Sequence, residues 1–102
     1  MDWSLRDNSD RHRFEITRGD EIGGWVDYEQ SDEAITLVHT EVDPAFEGEG
    51  LGSKLARGAL DEARSRRLPV LPVCSFIAGY IQRHDEYVDL VPSTRRTEFG
   101  VG

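Results

Sequence analysis

From Arg13 onward, apolar and polar residues alternate. Phe14 and Ile16 fall on one side, and Arg13, Glu15 and Thr17 on the other, which is the period of a half-buried strand. Gly19-Asp20 supplies a turn. A second strand is predicted over 21–29, carrying Ile22, Trp25, Val26 and Tyr28; Gly23-Gly24 inside it predicts a bulge or a close backbone approach. After the turn residues 30–33, a β-branched run over 34–42 predicts a third strand, ended by Asp43-Pro44. The three make an antiparallel meander. The period then changes. Leu51, Leu55, Ala59, Leu60 and Ala63 form one apolar stripe, predicting a helix over 51–67 that must stop before Pro69. A short apolar run over 68–74 predicts a buried strand, and 75–84 a second helix with Ser75 as its cap. Residues 85–92 form a short tail element. The polar residues 1–12 are predicted to be frayed, and 93–102 to be disordered.

The order is β-β-β-α-β-α. A helix joins the third and fourth strands, which implies a parallel pair with a right-handed crossover. The expected class is therefore α/β in the α+β sense: an antiparallel meander with one parallel β-α-β pair and two helices. At 102 residues the chain suffices for one small domain.

Composition narrows the function. The net charge of −8 repels phosphate backbones, so nucleic acid is not an expected partner. Arg64, Arg66 and Arg67, and separately Arg95 and Arg96, are short groupings suited to a helix end or a solvated surface. One cysteine, Cys74, permits no internal disulfide, and no apolar run approaches the ~20 residues of a membrane span. With no signal layout at the N-terminus, a cytoplasmic setting is expected. His12, His39 and His84 are scattered, so no metal site is expected.

The chemistry concentrates at Glu47-Gly48-Glu49-Gly50-Leu51-Gly52, between a strand and a helix. Glycines at 48, 50 and 52 let successive backbone N–H groups approach a ligand, and the helix adds its unpaired donors and positive dipole end. This pattern suits a phosphate or pyrophosphate. The same glycines also suit a tightly packed loop with no ligand. A P-loop requires Gly-Lys-Ser/Thr, whereas here Lys54 follows Ser53. A Rossmann fingerprint requires a parallel unit around the loop, whereas here a meander precedes it.

This arrangement resembles the GNAT superfamily of acyl-CoA N-acyltransferases, in particular its minimal stand-alone members. Gly50-Leu51-Gly52 matches the glycine part of the family's Gln/Arg-x-x-Gly-x-Gly/Ala loop. His39-Thr40-Glu41-Val42, Pro72-Val73-Cys74-Ser75-Phe76 and Tyr80-Ile81-x-Arg83-His84-x-Glu86-Tyr87 follow the pattern in order. The resemblance covers roughly 13–92, and implies a single domain there with flexible termini, 1–12 and 93–102. It implies acetyl-CoA as cofactor, held at Val42, Gly48, Glu49, Gly50, Leu51, Gly52 and Ser53, and an amine as acceptor. One departure stands out: Glu47 occupies the Gln/Arg position, and Glu49 adds a second acid. Carboxylates repel a pyrophosphate unless they turn away and leave binding to the backbone.

The resemblance places the thioester where the two parallel strands splay, beside Cys74. A thiolate there would accept an acetyl group, and a helix beginning at Ser75 would favour it. Cys74 equally reads as a small buried hydrophobe. Direct attack by the amine needs a base, for which His39 and Glu41 are the candidates, with His84 and Tyr80 behind them. Their plainer readings are a strand-end histidine, a solvated acid, a helix-end cation and a core aromatic. Two further functions fit the same residues: a non-catalytic coenzyme A-binding module, and an interaction domain whose glycine turn is structural. So short a chain is expected either to leave the acceptor side open or, equally, to support little catalysis. An acidic surface would draw a polyamine or a basic macromolecule.

Overall fold

A computed structural model describes residues 2–102. Five strands form one sheet in chain order: β1 (Ser4–Asn8), β2 (Arg13–Arg18), β3 (Glu21–Gln30), β4 (Ile35–Val42) and β5 (Val70–Pro72). The first four pair antiparallel, and β4 pairs parallel with β5. Helix α1 (Leu51–Ser65) is the crossover, α2 (Ser75–Arg83) follows β5, and α3 (Arg96–Phe99) lies near the C-terminus.

Alternation along β2–β4 divides the sheet into two faces. Phe14, Ile16, Val26, Tyr28, Ile35 and Leu37 are buried with Leu51, Leu55, Ala59, Leu60 and Ala63 of α1 and Ile77 and Ile81 of α2, so both helices share one core on one face. The other face carries Arg13, Glu15, Trp25, Asp27, His39 and Glu41. Glu15 lies across from Trp25, Trp25 from Glu41, and Asp27 from His39.

Two bulges depart from regular pairing. Ile16 pairs with Gly24 and Thr17 with Ile22, so Gly23 is the extra residue of β3, at the predicted glycine pair. Asp27 pairs with His39 and Tyr28 with Leu37, so Val38 is the extra residue of β4.

The termini differ from expectation. The segment 1–12, predicted to be frayed, is described from residue 2, and within it Ser4–Asn8 form β1, registered on β2. Their strand is polar because its partners are polar. Arg6 pairs with the buried Glu15, Asp7 accepts from Tyr28 Oη at 2.6 Å, and Arg66 donates to Asp7 at 2.7 Å. Leu5 packs over Gly58 of α1. Residues 93–102 are likewise structured. α3 ends in a left-handed Gly100, whose carbonyl accepts from Gln82 Nε2 at 2.7 Å, and Val101 is buried. Between these, a 3-10 stretch over Asp85–Leu90 buries Tyr87 and Leu90.

Element ends shift for local reasons. α1 stops at Ser65, not 67, because Arg67 turns left-handed (φ 58°) and Leu68 N–H donates back to Ala63 O, a Schellman closure. β5 is three residues rather than seven, bounded by Pro69 and Pro72, which have no N–H for a ladder. Cys74, not Ser75, occupies the N-cap of α2.

Candidate active site

The helices α1 and α2 follow the carboxyl ends of the parallel strands β4 and β5, so their N-termini lie together at one edge of the sheet. Ahead of α1, Asp43 Oδ1 accepts from Ala45 N–H at 2.9 Å and closes a 3-10 turn over Pro44–Phe46. The chain then passes through Gly48 (φ 88°) and Gly50 (φ 72°), both left-handed and both with open space where a Cβ would stand. Backbone conformation, not crowding, calls for glycine at these two positions. Gly52 differs: a Cβ there would stand 2.9 Å from Cζ of Phe76, on the first turn of α2. The N–H groups of Gly48, Gly50, Leu51, Gly52 and Ser53 have no acceptor among the described residues, and α1 has no side-chain cap. Five unpaired donors therefore gather in the loop and first turn at the positive end of a 15-residue helix.

One of the two acids in this loop is turned away. Glu49 Oε1 accepts from Trp3 Nε1 at 3.2 Å and from Arg18 Nη1 at 3.5 Å, toward β1 and β2. The Arg18 guanidinium lies 4.4 Å over the Trp3 ring, and Trp3 meets Phe46 edge to face at 5.0 Å. This cluster ties the loop to the sheet and compensates the charge of Glu49. Gly23, the bulge residue, makes room for it, because a side chain there would strike Trp3 and Leu51.

The gap lies beside this loop. β4 and β5 are in register at Ile35–Val70, Thr36–Leu71 and Leu37–Pro72, and no further. Cys74 N–H donates to Leu37 O at 2.9 Å, the last link across. The bulge at Val38 follows immediately on Leu37, the last residue of β4 in register with β5. Cys74 Sγ stands on the helix side of the opening, 3.4 Å from Thr40 Oγ1, and the residue is buried. Val38, Val73 and Phe76, three of the four exposed large hydrophobic residues, belong to the segments that border the opening. Among the described residues no cluster of three or more His, Cys, Asp or Glu is arranged to hold a metal, and no helix is long and apolar enough to cross a membrane.

The sequence matches the model of a GCN5-related N-acetyltransferase family over residues 13–90. The chain belongs to that family. Its fold is similar to the solution structure of a GCN5-like protein from Staphylococcus aureus, with a TM-score of 0.65, 24% identity and 87% of each chain covered. No curated protein matches the chain. GCN5-related enzymes transfer acyl groups from acyl-CoA to an acceptor, and the chain is accordingly an N-acetyltransferase by family. The alternative of an interaction domain with a purely structural glycine turn loses its ground to that membership.

Within this N-acetyltransferase frame, the sequence-nominated residues fall into two groups. Gly48, Glu49, Gly50, Leu51, Gly52 and Ser53 form the loop and helix start, with Val42 at the end of β4 just before it. Cys74 lies at the opening, on the helix face. His39 and Glu41 lie on the opposite face of β4, paired through His39 Nε2 and Glu41 Oε2 at 3.0 Å, with side chains 58% and 53% exposed. Tyr80 is buried and stacks on His84 at 3.9 Å. His84 Nδ1 reaches Tyr80 O at 2.8 Å, so it closes the end of α2. Tyr80 is thus a core aromatic, and His84 stands at the helix end. Sequence reasoning did not single out Trp3, Arg18 or Thr40. Thr40 was legible in part, standing beside His39 and Glu41; Trp3 lay in a segment expected to be frayed.

Proposed function

We propose that this protein transfers an acetyl group from acetyl-CoA to an amine. One observation carries the reading: five unpaired N–H groups at the start of α1 adjoin an opening between two parallel strands. A pyrophosphate fits the first, and a thioester-bearing arm fits the second. Asp43 N–H donates to Gly23 O at 2.8 Å, so alternation turns Glu41 toward β3 as well and leaves the backbone groups of Thr40 and Val42 facing the gap. The amides of a pantetheine arm would pair there as an added strand does. Val38, Val73 and Phe76 supply the apolar border.

Transfer then proceeds by direct attack. The amine nitrogen adds to the thioester carbonyl, the carbon–sulfur bond breaks, and coenzyme A leaves as a thiolate that takes up a proton. His39 accepts the proton lost by the amine, and Glu41 orients its ring. Asp27, Glu29 and Glu41 share this face of β3 and β4, which favours a cationic acceptor. A second reading routes the acetyl group through Cys74. It is favoured by the position of Sγ at the opening and by the first turn of α2, which has no side-chain cap. Against it, Thr40 is the one hydrogen-bond partner of Sγ among the described residues, and Thr40 is no base.

The experiment is single-turnover transfer from labelled acetyl-CoA. His39→Ala should lower the rate by about 10²-fold or more, while Cys74→Ala should retain transfer. Label trapped as a thioester on Cys74, with loss of transfer in Cys74→Ala, would instead establish the relay. Absence of any thermal shift with coenzyme A or acetyl-CoA would remove both.

A further inference from the structure

A cavity of about 360 Å³ lies between the C-terminal end of α1, the link into β5 and the 3-10 stretch. Four of its seven lining residues are apolar: Leu68, Pro69, Leu90 and Pro92. The other three are Arg64, Arg67 and Asp89. Arg64 and Asp89 hold each other through two hydrogen bonds, at 2.9 and 3.0 Å, so their charges cancel. The exposed Arg67 side chain forms no ion pair and no hydrogen bond among the described residues. The cavity therefore carries one uncompensated positive charge, in a chain of net charge −8.

Arg11, Lys54, Arg57 and Arg83 also lack ion pairs, but the backbone sets Arg67 apart from them. Helices α1 and α3 end in the same closure. Leu68 N–H donates to Ala63 O and Arg67 N–H to Arg64 O; likewise Val101 N–H donates to Arg96 O and Gly100 N–H to Thr97 O. The left-handed residue of α3 is Gly100 (φ 70°), whereas that of α1 is Arg67 (φ 58°). A side chain in this conformation crowds its own backbone, a cost that glycine avoids. Arg67 thus holds a cation at a position that local conformation would give to glycine, and its side chain lines a cavity with an apolar wall. We propose that this cavity binds a small monocarboxylate with an apolar body, its carboxylate on the Arg67 guanidinium and its hydrocarbon part against Leu68, Pro69, Leu90 and Pro92. A guanidinium takes a carboxylate through two parallel N–H donors, and a single uncompensated charge matches a monoanion. At 1.5 Å per residue, the 15-residue α1 separates this cavity from the glycine loop by about 22 Å, so the inference stands apart from the cofactor reading.

The probe is octanoate, titrated into the natural chain and followed by amide NMR, with octanol and acetate as comparison ligands. Octanoate should bind saturably and shift the amides of Arg67, Leu68 and Leu90. It should bind at least about tenfold more tightly than octanol, which lacks the charge, or acetate, which lacks the apolar body. The preference over octanol should narrow as salt rises. Arg67→Gly is the deciding variant. Its affinity for octanoate should fall to that for octanol, while its melting temperature stays level or rises, because the left-handed backbone no longer carries a side chain. A variant that melts lower would show that Arg67 serves the fold, and would overturn the proposal. Equal binding of octanoate and octanol, shifts that do not saturate, or unchanged octanoate affinity in Arg67→Gly would overturn it as well.

Discussion

Glu15 has no exposed side-chain surface, yet it lies on the sheet face away from the helices, enclosed by Arg6, Arg13 and Asn8. Burial pushes its carboxyl upward, but the hydrogen bonds from Arg6, Arg13 and Asn8 outweigh burial and bring it to about 2. An unfolded glutamate titrates near ~4.3. The stabilisation is therefore complete above that value and is lost as pH falls toward 2. Glu15→Gln should cost about 2–3 kcal/mol at neutral pH, and denaturant melts should show its stability flatter than the natural chain's between about pH 5 and 2. A parallel decline in both proteins would refute the assignment. The contact between Gly52 and Phe76 yields a second residue-scale expectation. Alanine in a helix is favoured over glycine by about 0.5–1 kcal/mol, but here its Cβ would stand 2.9 Å from the Phe76 ring. Gly52→Ala should be neutral or destabilising alone and should stabilise in a Phe76→Ala background, which a double-mutant cycle measures directly.

Between elements, the N-terminal strand acts on the loop from a distance. Trp3 joins β1 to the glycine loop through Glu49, Arg18 and Phe46, 46 residues along the chain from its hydrogen-bond partner. Trp3→Ala should lower stability by about 2 kcal/mol and weaken coenzyme A binding several-fold, because Glu49 is then free to swing toward the phosphates. If calorimetry shows unchanged affinity in a destabilised variant, Trp3 supports the sheet but not the loop. At the other end of α1, Arg66 holds Glu62, Gln30 and Asp7 at 2.9, 2.6 and 2.7 Å, clamping α1 to β1 and β3. Arg64 reaches Asp89 and Glu86 O, and Tyr87 Oη donates to Asp61 at 2.8 Å, which fastens the 3-10 stretch to the same helix. Burial of the Tyr87 ring, with Asp61 at its hydroxyl, pushes that phenol up to about 12.

Over the whole molecule, the proposed cationic acceptor makes the acidic balance a long-range term. With a net charge of −8, kcat/KM for a polyamine should exceed that for a neutral amine of similar nucleophilicity and should fall as ionic strength rises. Equal salt response for both acceptors would show that the field plays no part in acceptor choice.

Local pattern was enough for much of this architecture. Period-two alternation marked β2, β3 and β4, and a three-to-four spacing marked α1 and α2, because each element buries one continuous face of its own residues. The glycine turn was legible for a similar reason: backbone conformation is a local demand, and φ values of 88° and 72° at Gly48 and Gly50 answer it. Tertiary structure alone decided the rest. β1 carries little hydrophobic signal because its stabilising partners, Glu15, Tyr28 and Arg66, lie far along the chain. Residues 93–102 are ordered through Gln82 and the core rather than by their own pattern. The orientation of Glu49, the contact of Cys74 with Thr40 and the separation of Cys74 from His39 across β4 also depend on which strands become neighbours. Sequence could nominate these side chains by chemical type; chain packing determined their contacts, because long-range neighbours leave no periodic trace.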